Sequence, residues 1–131
     1  AYKGRGGISA DIGVNTDVLT GYPKSEGIEM AIRTLSPEMI VCDEISKTEE
    51  VLAMEDGFLS GVKFAVSVHA SSKKEICGKK IIRTLLARNE FDYIVLLNDY
   101  TNDFEIMEVS EIRSEIFRDY SSEFIMDCSR L

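Results

Sequence analysis

Eight residues, Pro37-Glu38-Met39-Ile40-Val41-Cys42-Asp43-Glu44, constrain this chain more than any others, because an apolar run there delivers two adjacent carboxylates at its end. Ile40 and Val41 are β-branched, and the run does not alternate with polar residues, so it reads as a strand buried on both sheet faces. Such strands rarely contain acids. Acids placed just where the strand emerges mark the carboxyl end, where open α/β sheets bind their ligands. This is the form of a Walker B strand. In that setting Asp43 could hold a magnesium ion through its water shell, since hard cations want carboxylate and water oxygens. Glu44 could polarise an attacking water as general base. The plainer alternative is a buried strand running into a solvated helix start, where the helix dipole favours acids anyway. The eight residues leave both readings open.

At 131 residues the chain is one domain, long enough for a core but small for a complete nucleotide-binding ATPase. Its net charge of −8 argues against a dedicated nucleic-acid binder, which would carry a basic patch. The excess is concentrated from Asp99 to Leu131, which holds nine acids, three arginines and no lysine. Cys42, Cys77 and Cys128 are scattered, as reduced thiols are, and the single histidine, His69, leaves too few ligands for a structural zinc site. No apolar run approaches the roughly 20 residues of a spanning helix and no signal peptide is visible, so direct membrane insertion is not expected. The start at Ala1 fits a processed protein, a tag-cleaved product or an excised fragment.

Six of the nine glycines fall between Gly4 and Gly27, so residues 1–24 read as loop, with at most a short extended piece around Ile8 to Ile12. Ile28, Ala31, Ile32 and Leu35 recur at helical spacing from Ser25 to Leu35, and Pro37 stops that helix. Ser46-Lys47-Thr48-Glu49 has the form of a capping box for a helix from about Thr48 to Leu59, ended by Gly61. Val62 to His69 is a second strand. Ser72-Lys73-Lys74-Glu75 is a second capping box, opening one helix through about Ala87. Asp92 to Asn98 and Phe104 to Val109 are two further strands joined by a polar hairpin-like connection. Residues 25–109 thus form an α/β core of parallel crossovers with an antiparallel addition at one edge. Residues 110–131 form an acidic C-terminal helix with Ile112, Ile116, Phe117, Tyr120 and Phe124 along one face.

Neighbouring parallel strands present their carboxyl ends at one edge of a sheet, so His69, which follows the second strand, should converge with Asp43 and Glu44. A neutral imidazole there could sense a terminal phosphate or position the water held by Glu44. Taken alone, His69 is more often a hydrogen-bonded strand-end residue. One part is absent: nothing matches G-x-x-x-x-G-K-[ST], the loop that cradles phosphates. Gly4-Arg5-Gly6-Gly7 lacks the Lys-Ser/Thr pair and reads as plain loop.

The stretch Thr16 to Gly27, including Gly21-Tyr22-Pro23-Lys24-Ser25, followed by Ile32 to Ile45, closely resembles the stage III sporulation protein AA family. More distantly it is similar to secretion ATPases of the type II and type IV pilus class. The match runs on through Gly61-Val62-Lys63 and Ser67-Val68-His69-Ala70 to the Phe91-to-Leu97 strand, and is weaker after Asn98. The resemblance implies a partial, three-layer RecA-like P-loop NTPase fold with a mostly parallel sheet, the phosphate loop lying upstream of Ala1. It implies Asp43 as the magnesium-site acid, Glu44 as the catalytic base and His69 as the histidine of the His box. It further implies ATP and Mg2+ as cofactors of the intact protein, a homo-oligomeric, hexameric ring, and membrane-embedded sporulation channel proteins as partners. The location implied is cytoplasmic, on the mother-cell side. Two departures stand out: Lys47 lies where these ATPases often carry Arg, and Asn15 where sporulation relatives often do. Arg33 reads as a helix-surface residue.

Two readings of other classes stand beside this one. A receiver-like domain would be phosphorylated on Asp43, but it needs an acid pair after its first strand and a lysine after its last. The N-terminal stretch offers only isolated Asp11 and Asp17, with no acid pair at the end of a strong strand, and Asn98-Asp99 stands where the lysine should be. A non-catalytic scaffold would use the acidic tail and its apolar face to dock a partner.

Overall fold

The computed structural model describes residues 12–98 and 100–118. Residues 12–23 form turns and irregular chain, and Pro23, with φ −54°, leads into helix α1 (Lys24–Thr34). Its apolar residues Ile28 and Ala31 are buried, and the chain leaves it through Ser36, held at φ +44°, before Pro37. Strand β1 (Met39–Cys42) follows, then helix α2 (Thr48–Leu59) and strand β2 (Lys63–Val66). The strands pair in parallel, with Met39 opposite Lys63 and Cys42 opposite Val66.

Helix α2 begins where the sequence suggests but is capped one residue later. The buried Glu50 carboxylate accepts the backbone amides of Ser46 at 2.9 Å and Lys47 at 3.1 Å, so Glu50, not Glu49, closes the first turn. The reason is burial: α2 turns Val51 and Met54 fully inward, and Glu50 lies beside that stripe. At the other end Gly61 adopts φ +80°, a left-handed conformation that lets Val62 donate back to the Gly57 carbonyl at 2.8 Å.

The first core unites Ile28, Ile45, Val51, Met54, Val62, Phe64 and Leu85. Phe58 packs against Phe64 with ring centroids 4.8 Å apart and meets Phe91 edge-on at 5.7 Å. Burying each large aliphatic side chain here contributes about 1.5–3 kcal/mol relative to exposure. Gly57 is the point of closest approach: a Cβ there would stand 2.6 Å from Phe64 Cζ and 3.1 Å from Ile32 Cδ1.

Three expectations are corrected. The helix read from Ser72 to Ala87 is two helices, α3 (Lys73–Gly78) and α4 (Lys80–Ala87), separated at Lys79, which is extended at φ −74°, ψ 124°. The break re-aims α4 so that Leu85 enters the first core while Ile82 and Leu86 enter a second, with Ile76, Met107, Val109, Ile112 and Ile116. The sheet is also not continuous. Strands β3 (Tyr93–Leu97) and β4 (Phe104–Glu108) pair antiparallel with each other in a sheet of their own, and α4 contributes side chains to both cores. Nor is β1 buried on both faces: Ile40 and Cys42 are half-buried, whereas Met39 and Val41 are 54% and 75% exposed. Among the described residues no element covers that face. The described chain is therefore mixed α/β, with one short parallel and one short antiparallel sheet.

Helix α5 (Val109–Arg118) follows β4 directly and buries Ile112 and Ile116, as their spacing suggests. The expected continuation through Tyr120 and Phe124, the extended piece around Ile8, Cys128 and the turn residue Asp99 lie outside the described residues.

Candidate functional site

The carboxyl ends of β1 and β2 are tied together beyond the last ladder pair. Ser67 donates its amide to the Cys42 carbonyl at 3.1 Å, and its own carbonyl accepts the Ile45 amide at 2.9 Å. The Ser67 hydroxyl also accepts the Glu44 amide at 2.8 Å. These bonds, with Ile45 buried as an anchor, hold Glu44 at φ +55°. A non-glycine residue in the left-handed region costs on the order of 1 kcal/mol and persists only where its surroundings impose it. A fourth bond completes the loop: Lys24 Nζ donates to the Glu44 carbonyl at 2.6 Å.

His69 lies three residues beyond β2, between the partly buried Val68 and Ala70. Its backbone carbonyl accepts a short hydrogen bond from Lys79 Nζ, and that ammonium also pairs with Glu75 at 3.3 Å. Glu75 caps α3: its carboxylate accepts from the hydroxyl and amide of Ser71, while the Ser72 hydroxyl accepts the Glu75 amide at 3.1 Å. The Ser71 hydrogen bonds, then Lys79, hold the Glu75 carboxyl down at about 2. Of the second capping box read from the sequence, the Ser72 leg is present, the return bond of Glu75 goes to Ser71 and not to Ser72, and the cap is linked through Lys79 to the His69 backbone.

Glu44 and His69 line a single cleft of about 490 Å3. Lys24, Ser46, Lys79 and Lys80 complete its polar wall, and Ile45, Val68 and Ile81 its apolar one. Asp43 is exposed and is not part of this lining. It continues the alternation of Met39 and Val41, the exposed positions of β1, before the left-handed residue redirects the chain. The expected convergence of three residues is therefore met by Glu44 and His69 and not by Asp43. Lys47, Asn15 and Arg33 are exposed and lie outside the cleft. Cys42, beneath the loop, has its thiol pushed up chiefly by burial, against the pull of Lys24.

Lys24, Lys79 and Lys80 were not singled out from the sequence. Lys24 is placed by Pro23, which starts α1 beside the β1 carboxyl end. The signal for the other two is Gly78-Lys79-Lys80, a glycine inside an apparently continuous helix, which marks the break that carries both lysines to the cleft. Among the described residues no three His, Cys, Asp or Glu side chains gather as a metal cage. No helix there is long and apolar enough to cross a membrane.

The described chain is thus an α/β fold whose parallel strands bring a carboxylate and a histidine to one lysine-lined cleft. The chain belongs to the family described as sporulation stage III, protein AA, whose model matches residues 4–117. Over 88 residues it is 34% identical to stage III sporulation protein AA of Bacillus subtilis (strain 168). That match covers 67% of this chain and 29% of the relative, so the chain spans under a third of that protein's length. No solved structure matches it. The family found is the one resembled by the stretch from Thr16 to Ile45.

Proposed function

We propose that this chain is the Walker B-bearing part of an ATPase, of RecA-like fold in its intact form, that energises a secretion or channel assembly during sporulation. The observation that carries the reading is the shared cleft: Glu44 and His69, from the carboxyl ends of adjacent parallel strands, line one cavity whose other charged groups, among the described residues, are three lysines. Glu44 acts as general base toward a water, its backbone clamped by Ser67 and Lys24 so that the carboxylate starts from a fixed position. His69 orients that water or the leaving phosphate. The sporulation role draws on the family and on the name of the Bacillus relative.

Magnesium takes one or two carboxylates together with phosphate and water oxygens, and not an all-protein cage. Asp43, exposed beside the cleft loop, suits that limited part, and the ion would neutralise charge on the phosphates. In the intact protein the working form is a homo-oligomeric ring beside membrane-embedded channel proteins.

Glu44→Gln in the intact protein tests the reading. Loss of the base cuts ATP turnover by about 10²- to 10⁴-fold while nucleotide binding persists, and unchanged hydrolysis removes Glu44 from the role. The 131-residue chain, which lacks a phosphate-binding loop, is expected to show no micromolar ATP binding by calorimetry and no hydrolysis.

A second reading, a non-catalytic scaffold, draws on the outer face of β3 and β4. Tyr93, Val95, Leu97, Phe104 and Ile106 are each more than half exposed there, a contiguous apolar surface of the kind that docks other chains. Light scattering that finds only monomer over a wide concentration range would count against self-association through it.

A further inference from the structure

We propose that the cleft seats a terminal phosphate, that of a nucleoside triphosphate or the inorganic phosphate released from it, held by Lys24, Lys79 and Lys80. The proposal rests on the nucleotide reading of Glu44 and His69 and adds the groups that would grip the anion.

The charge distribution is the first argument. The chain carries 23 acids against 15 lysines and arginines, yet the cleft lining holds three ammonium groups against the single carboxylate of Glu44. An acidic chain that gathers lysines in one concavity creates a local positive field opposite to its overall sign, and such a field concentrates anions.

The partners of these lysines are the second. Lys24 spends one of its three N–H donors on a neutral carbonyl, that of Glu44. Lys80 makes no ion pair among the described residues. Lys79 is shared between the His69 carbonyl and Glu75. Among the described residues, two of the three lysines lining the cleft therefore have no carboxylate partner, with donors left over. The break at Lys79 also has a purpose on this view: a continuous helix would set Lys79 and Lys80 about 100° apart around one axis, whereas the extended residue between α3 and α4 brings both to the same cavity.

Lysine binds phosphate as a point charge, and the three ammonium groups of the lining suit charge spread over several phosphate oxygens. At about 490 Å3 the cleft accommodates a phosphate with water beside it. An anion bound by the remaining donors of Lys24 is joined through that ammonium to the Glu44 carbonyl. Phosphate occupancy is thereby coupled to the left-handed turn that carries the general base.

The test is a titration of the 131-residue chain by amide NMR with tripolyphosphate, with inorganic phosphate and with adenosine, at constant ionic strength. Tripolyphosphate and phosphate should shift the amides of Glu44, Ile45, His69 and Lys80 saturably in the millimolar range, and adenosine should not. The double variant Lys24→Gln with Lys80→Gln should weaken tripolyphosphate by about tenfold or more, through lost charge-assisted hydrogen bonds. The corresponding double Arg variant should largely retain it. Equal affinity in the double Gln variant, or shifts that follow every surface lysine without saturating, would overturn the proposal. The two readings fail separately. Saturable phosphate binding with normal hydrolysis by Glu44→Gln in the intact protein leaves the subsite and removes the general base. Lysine variants without effect, beside a dead Glu44→Gln, do the reverse.

Discussion

The ammonium of Lys24 lies 2.6 Å from the carbonyl oxygen of Glu44, so the first residue of α1 holds the second residue beyond β1. The contact joins α1 to the loop that follows β1, and it fixes the turn that carries the carboxylate. Lys24→Met should cost about 0.5–1 kcal/mol in urea unfolding, the low end for a hydrogen bond because this one is solvent-accessible. Hydrogen exchange at Glu44 and Ile45 should quicken, and Lys24→Arg should restore most of the protection. Unchanged exchange would show that Ser67 alone holds the turn.

Gly57 decides between two opposing effects. Replacing a mid-helix glycine by alanine normally stabilises by up to about 1 kcal/mol. Here the new methyl would meet the Phe64 ring, which is itself held by Phe58 and buried. Overpacking of this kind costs about 1–3 kcal/mol, so Gly57→Ala should be net destabilising. Adding Phe64→Leu should recover part of the loss, and strict additivity in that double-mutant cycle would refute the steric account.

Glu50 satisfies two backbone amides from a buried position. Glu50→Ala leaves both donors without their partner and should cost about 1–3 kcal/mol in chemical denaturation. Glu50→Gln keeps an acceptor oxygen and should cost less. Glu49→Ala, one residue earlier and exposed, should stay within about 0.5 kcal/mol, and a larger effect there would favour the capping register that the sequence first suggests.

The Glu75 carboxyl is held at about 2, below its ordinary 4.5, by the Ser71 hydroxyl and amide and then by Lys79. A group whose folded pKa is depressed contributes stability above its unfolded value and loses it as pH falls through the folded one. The contribution of Glu75 should therefore be complete above about pH 4.5 and disappear toward pH 2. Thermal midpoints of the native chain and of Glu75→Gln should converge across that window. A constant difference between them down to pH 2 would detach Glu75 from the acid sensitivity.

Much of the element order could be read from local pattern. Ile28, Ala31 and Ile32 recur at helical spacing, Pro37 and Gly61 punctuate the chain, and Ser72 with Glu75 caps α3, because each effect acts within a few residues of its cause. The errors fell where the cause was distant. Met39 and Val41 are apolar like Ile40 and Cys42, and nothing in their spacing distinguishes the covered face from the open one. Gly78 gave a hint of the helix break, but only the two cores competing for Leu85 and Leu86 enforce it.

The sequence by itself determined that Glu44 and His69 follow two strands of one crossover unit, since strand ends are local and parallel pairing carries both to the same edge. Tertiary structure alone decided that Asp43 stands outside their cleft and that Lys24, Lys79 and Lys80 stand within its lining. The first depends on a left-handed residue imposed by Ser67 and Lys24, and the second on where α1 starts and α4 turns. Those outcomes are set by hydrogen bonds and packing between residues far apart in the chain, which no local pattern encodes.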